Sequence, residues 1–315
     1  PSRGGRGQAA HAGRVLASSG GKKSFFHMAL ALLNDGDEAI IPAPYWVSYP
    51  DMVKVAGGVP VILETDLDSR FKITPQQLEQ AITPKTRLFV INSPSNPSGM
   101  AYSKEELAAL GEVLKKHPDI VIATDDMYEH ILWTGQPFVN IVNACPELYD
   151  RTVVMNGVSK AYSMTGWRIG YAGGPQKLIA AMKKVQSQST SNPASISQAA
   201  AEAALSGDQQ CVKDMVKAFK ERHDYVVDAL NKLPGVTCAP GDGTFYAFPD
   251  FSGAIADMDG VESCTDLAAQ LLETAEVALV PGSAFGAPGC LRLSFAVGMD
   301  TLVEAISRIE KALSK

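Results

Sequence analysis

The sequence is most informative at residues 157–170, which read Gly157-Val158-Ser159-Lys160-Ala161-Tyr162-Ser163-Met164-Thr165-Gly166-Trp167-Arg168-Ile169-Gly170. They follow the apolar run 153–155, which is typical of a buried strand, so Lys160 stands just beyond a strand end. An amine attacks a carbonyl only when unprotonated, and a lysine pKa of about 10.4 must first be lowered by burial or a nearby cation. Taken by itself, the pattern fits either a Schiff-base lysine or an ordinary surface lysine.

Short apolar runs alternate with amphipathic helices on either side of this stretch. Strands are predicted at 38–41, 59–63, 87–92, 120–124, 153–156 and 169–172. Helices are predicted at 24–34, 49–56, 74–81 and 104–116. Apolar runs that are buried on both faces and separated by helices indicate an α/β fold, here a large domain with a mostly parallel sheet sandwiched by helices.

The C-terminal third predicts a smaller α+β domain. Its elements are a long helical segment at 208–232, a helix at 265–276, a glycine-rich stretch at 282–289, a strand at 291–295 and a helix at 300–313. The predicted divisions are a large domain at 15–207, a linking helix at 208–232 and a small domain at 233–315. Residues 1–14 carry four glycines and three arginines without any period, and we expect them to be disordered or atypical.

Composition argues against nucleic-acid-binding, membrane-bound and disulfide-rich classes of protein. A net charge of -6 and the absence of basic runs argue against a nucleic-acid groove or a membrane surface, so partners are expected to be small molecules or another subunit. The five cysteines show neither CxxC nor histidine-paired spacing, which predicts no metal site and no disulfide framework. With 46% hydrophobic residues but no apolar stretch of about 18 residues, the chain is expected to be cytoplasmic.

Polar residues follow three of the predicted strands. Asn96, Asp125 and Lys160 each come at or just beyond the carboxyl end of an apolar run, the edge where open α/β sheets bind ligands. Each also has an ordinary interpretation: a turn residue for Asn96, a helix cap for Asp125, a solvated side chain for Lys160. The coincidence of three candidates at one edge favours a ligand site.

Two further positions suggest that the ligand is anionic. Gly20-Gly21-Lys22 precedes a predicted helix, where glycines would expose backbone amides suited to phosphate, although an isolated Gly-Gly is usually a plain turn. Arg292 lies inside an apolar strand, where a guanidinium is costly to bury without a carboxylate partner. A structural ion pair would satisfy Arg292 equally well.

Residues 157–170 resemble the pyridoxal-phosphate lysine signature of class I aminotransferases, and the resemblance extends from about Ser19 to the C-terminus. It is closest to the bacterial aspartate aminotransferase branch, through 41–50 and 186–193. The cofactor positions that it implies are Gly21, Lys22, Trp46, Asn96, Asp125, Tyr128, Lys160 and Arg168. The substrate positions that it implies are Lys22, Trp46, Asn96 and Arg292.

The resemblance also implies a role for each cofactor residue. Lys160 would hold pyridoxal 5'-phosphate through a Schiff base and act as the catalytic base, while Arg168 would clamp the phosphate. Asp125 would keep the pyridine nitrogen protonated. Tyr128 and Asn96 would hydrogen-bond the ring hydroxyl.

The remaining roles concern the substrate. Trp46 would stack on the cofactor ring, Arg292 would bind the α-carboxylate, and Lys22 would meet the distal carboxylate of aspartate or glutamate. An aromatic residue at position 46 could otherwise be simple core, and Lys22 could be solvated. At position 157 the family often has a serine, so we expect fewer phosphate contacts from that side.

The expected activity is therefore transfer of an amino group between an L-amino acid, aspartate or glutamate, and a 2-oxo acid, by a homodimer. Alternatives are aromatic or prephenate substrates, lyase or acyl-transfer chemistry with the same cofactor, and a catalytically silent cofactor-binding or regulatory protein. Residues 1–14 do not resemble the N-terminal segment of the family. A chain truncated there would be expected to bind cofactor yet turn over poorly.

Overall fold

The computed structural model describes residues 12–314, which contain a seven-stranded sheet. Its strands are β1 (Val15–Ser18), β2 (Glu38–Pro42), β3 (Val59–Leu63), β4 (Thr86–Asn92), β5 (Val121–Asp125), β6 (Thr152–Gly157) and β7 (Gly170–Gly173). Their spatial order is β1-β7-β6-β5-β4-β2-β3. Strands β2 to β6 pair in parallel, whereas β7 is antiparallel to both β6 and β1. The predicted α/β fold with a mostly parallel sheet is confirmed.

Helices cover both faces of this sheet. The helices that precede the second sheet in the chain are α1 (Gly21–Leu32), α2 (Ser48–Val55), α3 (Pro75–Ala81), α4 (Lys104–Lys115), α5 (Ile141–Ala144), α6 (Gln176–Ser187), α7 (Ser195–Ser206) and α8 (Gln210–Leu230). Successive residues of one strand serve different cores. Ile41 packs in a cluster with α1 and α2, while Ile40 packs in another with α4. This two-sided burial explains why the strands are continuously apolar rather than alternating.

A three-stranded antiparallel sheet lies in the C-terminal third. It consists of β8 (Tyr246–Ala247), β9 (Val280–Pro281) and β10 (Leu291–Ser294), with β10 in the centre. It is accompanied by α9 (Ser252–Asp257), α10 (Cys264–Ala275) and α11 (Met299–Leu313). A separate apolar core joins α8, α10 and α11 to β10, which is the arrangement expected of an α+β unit. The domain boundaries given above remain predictions.

Several boundaries differ from the sequence expectations. Helix α1 begins at Gly21 rather than at residue 24, and β1 (Val15–Ser18) was not predicted, because four residues with one paired edge carry little periodic signal. The expectation of disorder for residues 1–14 falls largely on residues 1–11, which lie outside the described residues. Ala12–Arg14 form a short 3-10 helix instead. Within residues 12–314, no helix has the length and apolarity needed to cross a membrane.

Candidate active site

A cavity of about 350 Å³ opens at the carboxyl ends of β4, β5 and β6. Every residue predicted for the site lines this one cavity: Gly21, Lys22, Trp46, Asn96, Asp125, Tyr128, Lys160, Arg168 and Arg292. The parallel register explains part of this convergence, since Asn92 of β4 pairs with Asp125 of β5 and the latter pairs with Met155 of β6. The individual roles implied by the resemblance remain predictions.

Asn92 ties two of the predicted residues together at the sheet edge. Its amide Nδ2 donates to the backbone oxygen of Asp125 at 2.8 Å, and its Oδ1 accepts from the backbone N–H of Asn96 at 2.8 Å. The turn that carries Asn96 is thereby fixed to the strand that carries Asp125. Asn92 was not predicted as a site residue, because it reads as the last residue of a strand.

The adjacent carboxylates Asp125 and Asp126 have different surroundings. Asp125 lines the cavity and accepts from the Tyr49 hydroxyl at 2.5 Å and from the Met127 backbone N–H at 3.2 Å. Asp126 is buried away from it, where its side chain accepts from Thr124 at 2.6 Å and from an amide at 2.7 Å. Burial raises the pKa of both carboxyls, that of Asp126 to about 7. Only Asp125 is placed to meet a ligand in the cavity.

Lys160 is half-buried three residues beyond the end of β6. Burial lowers the pKa of its amine, and the positive charges of Arg292 and Arg168 lower it further. Its Nζ lies 5.5 Å from the centroid of the Phe245 ring. A depressed pKa raises the fraction of neutral amine at a given pH. Since an amine attacks a carbonyl only when it is unprotonated, the surroundings of Lys160 suit a nucleophile.

Glycines bring the N-terminus of α1 against Arg168. A Cβ at Gly20, whose φ is 97°, would lie 2.5 Å from the nearer guanidinium nitrogen, and a Cβ at Gly170 would overlap the backbone nitrogen of Gly21. Within the described chain, no side chain caps α1 at Gly20; the Lys23 amide donates to the Gly20 oxygen at 3.0 Å, which leaves those of Gly21 and Lys22 for an anion. Arg168 adopts φ 50° and donates to the backbone oxygen of Thr165 at 2.7 Å. The helix end and the guanidinium together form an anion cradle.

The same close packing accounts for the unusual glycine at position 157. A Cβ there would lie 3.1 Å from the backbone oxygen of Ile169 and 3.2 Å from Cα of Gly170. These contacts are tighter than most side chains make, and they involve backbone atoms just before and at the start of β7. A larger residue at 157 would therefore require the backbone at 169–170 to shift by a few tenths of an ångström.

Arg292, in β10, projects a second guanidinium into the cavity. Its Nη1 donates to Oδ1 of Asn96 at 2.9 Å, and its Cζ lies 4.5 Å from the Tyr246 ring centroid and 5.0 Å from that of Phe285. Its Nε is buried without a hydrogen-bond partner, and among residues 12–314 no carboxylate lies within 4.0 Å. The structural ion pair considered from the sequence is absent from this part of the chain, which favours an anionic ligand.

The loop 240–244 joins the three-stranded sheet to the chain segments that follow β4 and β5. Backbone N–H groups of Asp242 and Gly243 donate to the oxygen of Gly99 at 2.9 and 3.0 Å, and Thr244 donates to Ile131 at 2.9 Å. Tyr246 lies two residues beyond the loop, with its hydroxyl 3.3 Å from that of Tyr128. Since β8 pairs with β10, this docking also places Arg292.

The lining carries four cationic side chains and one carboxylate, so the cavity suits a ligand with several negative charges. The cations are Lys22, Lys160, Arg168 and Arg292. Lys22 is exposed at the rim, and its Nζ lies 5.0 Å from the Trp46 ring centroid. Lining residues that the sequence analysis missed are Asn92, Met127, Ser159, Thr165 and Tyr246.

Comparison with known proteins agrees with this geometry. The family described as aminotransferase class I and II matches residues 3–309. The aspartate/prephenate aminotransferase of Nitrosomonas europaea is 60% identical over 307 residues, which cover 96% of this chain and 77% of that protein. The crystal structure of the aspartate aminotransferase from Rhizobium meliloti superposes with a TM-score of 0.93 at 47% identity, covering 96% and 76% of the two chains. That of Thermus thermophilus aspartate aminotransferase with maleate gives 0.86 at 39%, covering 95% and 76%.

Proposed function

The chain belongs to the class I and II aminotransferase family, and from that premise we propose that it uses pyridoxal 5'-phosphate to move an amino group between aspartate or glutamate and a 2-oxo acid. The observation that carries the proposal is Lys160, an amine with a depressed pKa in a cavity with an excess of cations. A phosphorylated aldehyde and a dicarboxylic amino acid would supply the missing negative charge.

The residues around the cavity fit the cofactor. Arg168 and the free amides at the start of α1 would hold the phosphate, and Asp125 would accept a hydrogen bond from the pyridinium nitrogen. Tyr128 and Asn96 would reach the ring hydroxyl. When bound, pyridoxal phosphate supplies an electron sink for the bonding electrons released at the substrate Cα.

Lys160 would perform two tasks with the same nitrogen. Its neutral amine would hold the cofactor aldehyde until the substrate amine displaces it, and the freed amine would then take the proton from the substrate Cα and return it on the cofactor side. Arg292 and Arg168 keep that nitrogen neutral over a wider pH range. Both tasks require an amine that is unprotonated at the start.

Substrate selection would depend on two cations. Arg292 would bind the α-carboxylate that every amino acid and oxo acid shares, and Asn96 already holds one end of its guanidinium. Lys22 would meet the distal carboxylate. The relative from Thermus thermophilus was solved with maleate, a four-carbon dicarboxylate, which supports an acidic substrate. The name of the relative from Nitrosomonas europaea makes prephenate a second candidate acceptor.

We further propose a cytoplasmic homodimer. Val47 is 37% and Trp167 is 46% exposed, although both are large apolar residues next to the cavity residues Trp46 and Arg168. A second subunit over this rim would bury them. All five cysteines are free, as expected in a reducing compartment. Light scattering after size exclusion would give twice the chain mass if the dimer forms.

An absorption spectrum tests the proposed chemistry. Purified protein mixed with pyridoxal phosphate is expected to give a band at roughly 360–430 nm that shifts when aspartate is added. Lys160→Ala should lose the shift and the transamination, whereas Lys23→Ala, on α1 but outside the cavity lining, should retain both. Transamination at the normal rate by Lys160→Ala would refute the proposal.

A further inference from the structure

Tyr49 is a cavity neighbour to which none of the roles above has been given. It lies in the first turn of α2, is only 2% exposed, and donates its hydroxyl hydrogen to Oδ2 of Asp125 at 2.5 Å. Burial and the adjacent Asp125 carboxylate raise the pKa of Tyr49 well above its ordinary value, so the phenol keeps its proton and remains the donor.

Tyr49 fixes one half of the Asp125 carboxylate. Oδ2 accepts from Tyr49, and Oδ1 accepts from the Met127 backbone N–H at 3.2 Å. A carboxylate offers about four acceptor sites, so two donors set its orientation and still leave sites facing the cavity. A side-chain donor from α2 and a backbone donor just after β5 thus hold the group in one rotamer.

The ring of Tyr49 also contacts a second residue of the site. Its centroid lies 5.2 Å from that of Trp46 in an edge arrangement and 4.8 Å from that of Phe25 in the core. One side chain therefore positions both Asp125, predicted to meet the ring nitrogen, and Trp46, predicted to meet the ring face. A buried tyrosine hydroxyl needs a hydrogen-bond partner of some kind, but that of Tyr102 has a backbone partner, since its oxygen accepts from the Ile73 N–H at 2.9 Å.

We propose that Tyr49 is a positioning residue that orients Asp125, and limits its basicity, for the pyridine nitrogen of the cofactor. The role rests on the proposed function. Tyr49 acts through its hydrogen bond to Oδ2, so the role requires Asp125. A purely structural tyrosine would not change how cofactor binding depends on pH, whereas a positioning tyrosine would.

The test uses pyridoxine 5'-phosphate, which has the ring and phosphate but no aldehyde, so that binding does not involve a covalent bond to Lys160. Calorimetry should show about tenfold weaker binding by Tyr49→Phe, the equivalent of one charge-assisted hydrogen bond. The matched control Tyr102→Phe, which removes a tyrosine hydroxyl paired with backbone, should bind like the parent protein. Unchanged affinity in Tyr49→Phe would overturn the role.

A double-mutant cycle separates positioning from packing. Adding Tyr49→Phe to Asp125→Asn should cause no further loss of affinity if Tyr49 acts through the carboxylate. An independent tenfold loss in that background would show that Tyr49 acts through packing alone and would overturn the proposal. If the parent protein itself did not bind pyridoxine phosphate, the proposed function would fail first, which distinguishes the two failures.

The affinity for pyridoxine 5'-phosphate as a function of pH provides a further test, because a loss of packing alone would not shift this pH dependence. The charged or titratable groups facing Asp125 are Tyr49 on α2, Asp126 and Tyr128 after β5, and Lys160, Arg168 and Arg292 in the cavity lining. Binding of the protonated ring requires ionised Asp125, so affinity falls as the pH is lowered through the pKa of that group. Tyr49→Phe removes a donor to the carboxylate and should move this fall to higher pH.

Replacement of Tyr49 by 3-fluorotyrosine should move the pH at which affinity for pyridoxine 5'-phosphate falls to a lower value, because the more acidic phenol donates a stronger hydrogen bond. This second variant keeps the ring and hydroxyl, so it tests the role even if Tyr49→Phe does not fold. Superimposable profiles for the parent and the fluorinated protein would overturn the proposal.

Discussion

The two arginines in the cavity are held in contrasting ways. Arg168 is exposed, adopts a left-handed backbone conformation and packs closely against Gly20 at the start of α1. Arg292 is half-buried in a regular strand between two aromatic rings, with its Nε desolvated. One anion site is made by backbone conformation beside the seven-stranded sheet, and the other by side-chain packing around the three-stranded sheet.

This difference indicates what each site tolerates. A cradle made of amides and glycines depends on the absence of side chains, so its weak points are Gly20 and Gly170, where added atoms would collide. A guanidinium clamped by rings depends on the presence of side chains, so its weak points are Tyr246 and Phe285. Substitutions in each site test whether the two are separate in function as well as in construction.

The largest effect is expected at Arg292. Arg292→Gln should lower kcat/KM for amino-acid substrates about 1000-fold, near 4 kcal/mol, because a desolvated carboxylate partner is lost. Affinity for pyridoxal phosphate should change little. Steady-state kinetics and cofactor titration measure the two, with Arg222→Gln on α8 as the control. An equal loss of cofactor affinity would show that the two arginines serve one site.

Arg168→Gln should lower the affinity for the cofactor and leave the KM for the amino acid unchanged, with a smaller effect than that of Arg292→Gln. Loss of a charge-assisted phosphate contact, about 2 kcal/mol, should weaken pyridoxal phosphate binding about 30-fold. With saturating cofactor, KM for the amino acid should stay near its parent value. A large rise in that KM instead would contradict the assignment of Arg168 to the phosphate.

The pKa of the Lys160 amine depends on both arginines. Each of them lowers its pKa, Arg292 more than Arg168, so removing either positive charge should raise that pKa and reduce the neutral fraction at a given pH. The rate of Schiff-base formation with pyridoxal, which lacks the phosphate, should fall roughly severalfold near neutral pH. The rate-versus-pH curve should move to higher pH, further for Arg292→Gln than for Arg168→Gln. The reverse order would refute the geometry.

The smallest effect concerns the aromatic clamp. Tyr246→Leu removes a ring 4.5 Å from the Arg292 guanidinium, and KM for the amino acid should rise about threefold. Tyr246→Phe keeps the ring and should leave that KM unchanged. If both variants raised KM equally, the hydroxyl contact with Tyr128 rather than the ring would hold the arginine.

The sequence predicted those parts of the site that depend on local pattern. Lys160 and Asp125 were found because each ends or follows a buried strand, and parallel strands end at one edge. Asn96 was found in the same way, and Arg168 followed from the resemblance. The roles assigned to these residues still await the experiments above.

What the sequence did not reveal depends on distant contacts or on backbone conformation. Tyr49 reaches Asp125 across 76 positions, and Tyr246 reaches Tyr128 across 118, so no window of sequence relates either pair. The early start of α1 was missed because Gly20 adopts φ 97°, which a helix pattern based on apolar period does not register. Helices α6 and α7 also had no assigned prediction.

The docking of loop 240–244 has a consequence for protein synthesis. The backbone oxygens that receive it, on Gly99 and Ile131, leave the ribosome more than a hundred residues before the loop itself, as do Lys160 and Arg168 before Arg292. The strands of the large sheet are all made by residue 173. The residues of the anion cradle are therefore all synthesised while the second arginine is still untranslated.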